Sequence, residues 1–295
     1  MTRTNLPSIR PAPPALSVLS FGWVFLLLVL GSGLTAQVPT QIEAGPDQDL
    51  IARADSLFDA GQAKAALELL RPELVARDST GYALLWRAAR AATAEGTLLP
   101  GPYPQNHLFE EAMRWGELAE AESVNRRVNP SGEPLAAGVP ADVTGGYWQF
   151  AATGLRAKNA APSFGAELAD QIWNGGYALL ERSPRDSRLH SLIGRLHFEV
   201  MSLSRMERLL GRVIVGGSVL GKANWEDAET HLNRAVELAP SDPRYLIDLA
   251  RLHAARGRPT AARLLAERVL GLNSDTPNAR AMKDEARVFL ADLSR

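Results

Sequence analysis

Three groups of residues in this sequence have types and spacings that could do chemistry. The first is Gly216-Gly-Ser-Val-Leu-Gly-Lys222, which follows the apolar Val213-Ile-Val215 and precedes Ala223-Asn-Trp-Glu-Asp-Ala228. Gly-x-x-x-x-Gly-Lys is the opening of a phosphate-binding loop, where backbone N–H groups and a lysine hold phosphates. That loop needs a Ser or Thr next, whose hydroxyl ligates magnesium. Residue 223 is alanine, so the metal ligand is missing. The residues before the glycines read as part of a long helix beginning near Leu189, and Asn224-Trp-Glu-Asp227 reads as a cap and first helical turn. The expectation is a flexible loop in an interrupted helical hairpin, without a nucleotide.

The second group is His190, His197 and Glu199. Seven residues on a helix separate the two histidines by two turns, too far to share one ion without strain, and Glu199 points elsewhere. His197, with His253 at the equivalent position, reads as a packed side chain, and no metal is expected. The third group is a set of arginines. Arg90, Arg195 and Arg251 recur at one position of three aligned segments, and Arg188 and Arg244 lie one heptad earlier, on roughly the same face. Such a stripe could hold a carboxylate, an acidic peptide or a phosphate head group. The alternative is a solvated face whose arginines pair with Glu199, Asp248 or similar neighbours. No nucleophile, base and carboxylate stand out together. The chain has no cysteine, which excludes disulfides, thiolate metal sites and cysteine nucleophiles. An enzyme is not expected, nor a cofactor.

The elements that must position these residues are helical hairpins. In Pro243–Ser274, Leu246, Leu249, Ala250 and His253 form one apolar face. Gly257 interrupts, and Ala262, Leu265, Ala266 and Val269 form a second face. Asp242 is placed to cap the first helix, with Pro243 at its first position. The small residues Ala250 and Ala262 let the two helices approach closely. The pattern recurs at Ile193-Gly194 and His197 with Ala228, Leu232, Ala235 and Pro240, split by the glycine-containing insertion. It recurs again at Leu50, Ala54, Leu57, Gly61 and Ala66. A further copy begins at Leu85, Ala89, Ala92 and Gly96; after the break TLLPGPYPQN (97–106) its second helix resumes at Phe109, with Ala112, Gly116 and Ala119. A divergent hairpin fits between Gly146 and Pro184. This is the tetratricopeptide pattern. It predicts an all-α, tetratricopeptide-like helical-hairpin solenoid of about four to five hairpins over residues 47–293, a right-handed superhelix whose concave face is lined by first helices. Trp86, Trp115, Trp148, Trp173 and Trp225 fall on predicted helices and read mostly as core.

Ahead of the repeats, Arg3 and Arg10 precede the apolar run Leu16–Leu30, which closes through small residues into Ala36. Residues 1–36 therefore read as an export signal cleaved near Ala36, with an uncleaved N-terminal membrane anchor as the alternative, and 37–46 as a linker. The expected place is exported, periplasmic or extracellular. A formal net charge of -1 gives no basic excess, so nucleic acid is not an expected partner.

The order of the pieces resembles the regulator of microtubule dynamics family. The likeness is carried by GYWQFAATGLRAKN (146–159), by LLERSPRDSRLHSLIGRLHFEVMSLSRMERLLGR (179–212) and by the Glu-Asp-Ala restart within 224–272. It implies an all-α repeat domain without catalytic activity. The family's name does not carry over as a function, because an exported protein does not meet cytoplasmic tubulin. The expected partner is a protein or peptide on the concave face; a lipid or other amphiphile in a hydrophobic groove is the alternative.

Overall fold

In the computed structural model, residues 46–76, 81–211, 218–274 and 276–294 are described. The proposed export signal and the core of the glycine loop, 212–217, lie outside them. The helices are α1 (Pro46–Asp59), α2 (Ala63–Ala76), α3 (Tyr82–Leu98), α4 (Pro102–Arg126), α5 (Thr144–Lys158), α6 (Pro162–Arg182) and α7 (Ser187–Ser202). Then come α8 (Arg205–Leu210), α9 (Val219–Lys222), α10 (Trp225–Leu238), α11 (Pro243–Ala255), α12 (Pro259–Leu270) and α13 (Pro277–Leu293). Among the described residues there is no strand, only one antiparallel bridge between Val128 and Pro134. The chain is a solenoid of helical hairpins: α1–α2, α3–α4, α5–α6, α7–α10 and α11–α12, with α13 closing the end.

Local chemistry sets where these helices begin and turn. Asp186 accepts hydrogen bonds from the Arg188 and Leu189 amides, Asp242 from the Arg244 amide, Asn224 from the Asp227 amide and Thr276 from the Ala279 amide. Each satisfies an amide that the first helical turn leaves unpaired. Gly61 and Gly257, at φ 77° and 71°, make the corresponding turns of the first and last hairpins.

Two boundaries differ from the sequence reading. The expected long helix from Leu189 ends at Ser202: Leu203 is extended, and Ser204 with Glu207 forms a reciprocal capping box that starts α8 afresh. The break at 97–106 is shorter than expected, because α4 already starts at Pro102. Pro102 and Pro104 lie in a first turn, where a missing N–H costs nothing, and the Gln105 amide ties the turn back to the Leu99 carbonyl at 2.8 Å.

The repeat positions form the seams between helices. Ala54, Ala66, Ala89, Ala92, Ala112, Ala119, Ala228, Ala235, Ala250, Ala262 and Ala266 are all buried. At the tightest crossings even alanine is too large. A Cβ on Gly116 of α4 would lie 2.6 Å from the Gln149 nitrogen of α5, and one on Gly145 of α5 would lie 2.6 Å from the Ala119 Cβ. Gly194 of α7 packs under Leu232 of α10 in the same way, with 2.8 Å to its Cγ. Successive first helices also touch one another: α1 meets α3, α3 meets α5, α5 meets α7, α7 meets α11 and α11 meets α13. Among the described residues, second helices make no comparable row, so the first helices gather on one side and the second helices spread on the other. At the end, α13 packs Met282 and Ala286 against Leu246, Ile247, Ala266 and Val269.

Gly116→Ala is expected to destabilise the fold by about 1–3 kcal/mol, because it forces two backbones apart. Gly154→Ala is expected to stabilise it by about 0.5–1 kcal/mol, since its Cβ would meet only the Ile172 Cδ1 at 3.7 Å. Urea unfolding midpoints that move in the same direction for both variants would contradict this account of the α4–α5 seam.

Candidate functional site

The face formed by the first helices carries the five arginines singled out in the sequence. Arg90, Arg195 and Arg251 are each the ninth residue of their helix (α3, α7 and α11), and Arg188 and Arg244 are each the second. The ninth residue of α5 is the buried Ala152, which interrupts the row, and that of α13 is Glu285, which ends it with a carboxylate. Equal spacing from the caps is what stacks these side chains, since each cap sets the rotational phase of its helix.

Every one of the five has a carboxylate neighbour. Arg90 and Arg87 share Asp55 of α1 at 2.5 and 2.8 Å, and the Arg90 guanidinium lies 4.0 Å over the Phe58 ring. Arg188 and Arg244 pair with the capping residues of their own helices, Asp186 at 2.6 Å and Asp242 at 2.7 Å. The two Asp-x-Arg units are one repeated device: the carboxylate caps the helix and holds the guanidinium over a ring, Tyr147 at 5.2 Å for Arg188 and Tyr245 at 5.4 Å for Arg244. The hydrogen bonds and charge of Arg188 outweigh the burial of Asp186 and hold its carboxyl below the usual range.

Further along, the pairing crosses helices. Asp248 of α11 lies between Arg195 of α7 at 3.7 Å and Arg251 at 3.6 Å, and Arg251 reaches on to Glu285 of α13. Lys158 at the end of α5 faces Glu199 of α7 at 3.6 Å. Burial pushes the Lys158 ammonium down to about 7; Arg195 and Arg251 act in the same direction and Glu199 opposes them. Burial raises the Glu285 carboxyl, Asp248 adds to this, and Arg251 and Arg195 oppose it. These are half-buried charges at the centre of the face, and they do not saturate one another. Asp248 Oδ2, Arg251 Nε and Arg90 Nε are buried and make no hydrogen bond. Lys158 escaped the sequence reading because it sits outside the aligned arginine positions; Glu285 occupies the equivalent position of α13, a helix beyond the aligned segments, and only counting along α13 from its cap would have found it.

The other two groups part company. Ser218 and Val219, in the glycine loop, give their amides to the Asp170 carboxylate of α6, at 3.1 and 2.8 Å. Lys222 lies 5.7 Å over the Trp173 ring. Two of the donors that a phosphate loop would turn to its ligand are thus held by an acid, which repels phosphate. His190 and His197 have separate partners. His190 meets His231 of α10; His197 meets Tyr177 of α6 and the Asn224 amide; Glu199 turns to Lys158. No group of three or more metal-ligating side chains occurs among the described residues. His197 is fully buried, whereas His253, at the equivalent position, is only partly so. Of the tryptophans, Trp86, Trp115 and Trp148 are core, and Trp173 and Trp225 are half-buried beside the interrupted hairpin. Among the described residues no helix is long and apolar enough to cross a membrane.

This architecture can be set beside known proteins. The family model for regulator of microtubule dynamics protein 1-3 matches residues 179–294, that is, α7 to α13 with the end of α6. The upstream stretch 146–159, read from the sequence as similar to the family, lies outside the match. A crystal structure of a thermophilic TPR protein from Thermus thermophilus superposes with a TM-score of 0.56 at 18% identity, covering 82% of this chain and 99% of that one. The assembly chaperone of RpL4 (residues 1–338) covers 85% of this chain and 99% of its own at 14% identity, but with a TM-score of 0.34. A tetratricopeptide repeat protein from Parabacteroides merdae covers 83% and 88% at 18% identity and a TM-score of 0.31. No curated protein matches the sequence. The hairpin stack, the repeated small residues at its seams and the match over its second half identify a tetratricopeptide-like protein that resembles the regulator of microtubule dynamics family.

Proposed function

We propose that the chain is a non-catalytic scaffold or adaptor that binds a protein or peptide partner along the face of its first helices, in an extracytoplasmic compartment. The observation that carries this reading is the centre of that face. There Asp248 and Arg251 each keep a buried hydrogen-bonding atom unused, and the Arg195–Asp248 and Asp248–Arg251 pairs, at 3.7 and 3.6 Å, are too long to be hydrogen bonds. Those atoms are closed to solvent, but the cluster around them is not: the side chains of Glu199, Lys158 and Arg251 are 38%, 29% and 20% exposed, and a partner's polar groups can add charge-assisted hydrogen bonds there. A solenoid built from stacked hairpins presents such a face without any one residue being specialised for a reaction. Ion pairs rather than an apolar strip line it, which favours a polar partner over a lipid or other amphiphile. The basic, apolar and small-residue succession of residues 1–36 supports the compartment.

A photo-crosslinking residue at position 199, on the face, is expected to yield a discrete protein adduct in the native envelope, and one at position 267, on the outer side of α12, is not. Adducts from the outer position alone would sink the proposal. The arginines require a compensated variant. Arg195→Ala with Arg251→Ala strands Asp248, whose side chain is 8% exposed, and is expected to cost about 3–5 kcal/mol of stability. Adding Asp248→Asn is expected to restore part of that stability, with Glu285 still lacking Arg251, while leaving affinity for the crosslinked partner at least about tenfold weaker, ~1.4 kcal/mol. Unchanged affinity in this triple variant would remove the arginine row from partner binding.

A further inference from the structure

Three of the chain's five histidines meet where the interrupted hairpin closes. His190 and His197 come from α7 and His231 from α10; the ring centroids of His197 and His231 are 6.2 Å apart and those of His190 and His231 5.2 Å. From α6, Trp173 lies 4.9 Å from His197, and Tyr177 lies 5.9 Å from His231. The charged group that bears on both His197 and His231 is Asp227 of α10; Lys222 of α9 lies beyond Trp173.

The hydrogen bonds define where protons can sit. The Asn224 N–H points at His197 Nδ1 at 3.1 Å, so Nδ1 accepts and the neutral ring carries its proton on Nε2, which faces the Tyr177 hydroxyl at 2.9 Å. His190 Nε2 faces the Pro184 carbonyl at 3.0 Å and must donate to it. The Nδ1 of neutral His190 is therefore an acceptor, and His231 donates to it across 3.0 Å. The two rings meet nearly end-on, so almost all the extra distance between their centroids is ring radius. That gap fits one shared proton. A divalent ion bound to both would need nitrogens roughly 3.3 Å apart on rings splayed around it.

One added proton has a place: His190 then donates from both nitrogens, and His231 moves its own proton to Nε2. The next has none. It either sets two N–H groups against each other or lands on His197 Nδ1 and expels the Asn224 amide. We propose that His190, His197 and His231 form an acid-operated latch: neutral, they bind the two halves of the interrupted hairpin through the Asn224 amide; charged, they release the first turn of α10. The energetic direction agrees. Burial lowers His197 against the charge of Asp227, and the Asn224 N–H, which a proton on Nδ1 would displace, favours the neutral ring as well. Burial, with His190 and His197, lowers His231 to about 4, against Asp227. A histidine depressed in the folded state binds fewer protons there than when unfolded. Its contribution is present above the ordinary value near 6.5 and is lost as pH falls from there towards 4.

Hydrogen exchange of the full chain at pH 7.5 and pH 5, corrected for intrinsic rates, tests this. The Asn224, Asp227 and Ala228 amides are expected to lose protection on the order of tenfold more than those of α3, an internal reference without histidine or lysine, after allowing for the partial exposure of His231. Equal changes in both regions would overturn the latch. His231→Gln is expected to remove most of the difference; a folded variant that keeps it overturns the proposal. Should that variant not fold, histidine ring NMR of the wild type decides. His197 and His231 remaining neutral at pH 5.5 supports the latch, and both titrating near 6.5 refutes it.

Discussion

The structure depends on backbones coming within contact distance of one another at positions that carry no side chain, or only a methyl. Helices with ordinary side chains at their crossings stand roughly 8–10 Å apart. Gly116 against Gln149, Gly145 against Ala119 and Gly194 against Leu232 need less. Once α4 and α5 touch along their lengths, the orientation of the third hairpin on the second is settled, and the linker 127–143 is drawn into the same junction. There the Asp142 carbonyl accepts from Ser123 of α4 and Arg182 of α6, and the Asp142 carboxylate holds the Tyr82 hydroxyl of α3. The polar network follows from the close seam, since only a tight crossing brings three helices within reach of one residue.

Regular seams also explain the charges. Caps at Asp186 and Asp242 start α7 and α11 in the same phase, so the arginines two and nine residues into these helices fall in register on one face. A row of like charges on adjacent helices would repel, and the row is relieved from the side. Asp55 comes from α1, Asp248 lies one turn before Arg251, and Glu285 comes from α13. The relief is partial by geometry, because contacts of 3.6–3.7 Å leave hydrogen-bonding atoms unused. That combination of burial and incomplete pairing separates this face from a solvated surface, where exposed ion pairs contribute little.

Much of the architecture was legible because hairpin seams demand small residues at fixed spacing. Alanines at 54, 66, 89, 112, 228, 250 and 262 announce the helices that bury them. The end of α7 was not legible in the same way. Its apolar pattern runs on past Leu203, and the Ser204–Glu207 capping box that ends it is a four-residue signal inside a longer periodic one. The start of α4 was obscured by prolines, which read as breakers although the first turn of a helix accepts them. The arginine row was visible, but its partners were mostly not: Asp248 lies close in sequence to Arg251, whereas Asp55, Lys158 and Glu285 reach the face only through folding. His231 was invisible for the same reason, because its neighbours sit on the far side of the insertion.

That insertion sets the energetics of the fourth hairpin. Residues 203–224 separate α7 from α10, twenty-two positions where α11 and α12 have three, 256–258. Closing the longer connection costs roughly 2 kcal/mol more in chain entropy. The α7–α10 interface must offset that without a short turn to hold it. It does so with the buried Ile193, Ala228, Leu232 and Ala235 around the Gly194 crossing, and with the Asn224 amide bound to His197. The histidines therefore sit at the hairpin in which a change of charge is least buffered by chain connectivity. In α11–α12 the three-residue turn would keep the helices paired through the loss of any single hydrogen bond, whereas in α7–α10 the side chains at the seam carry that task themselves.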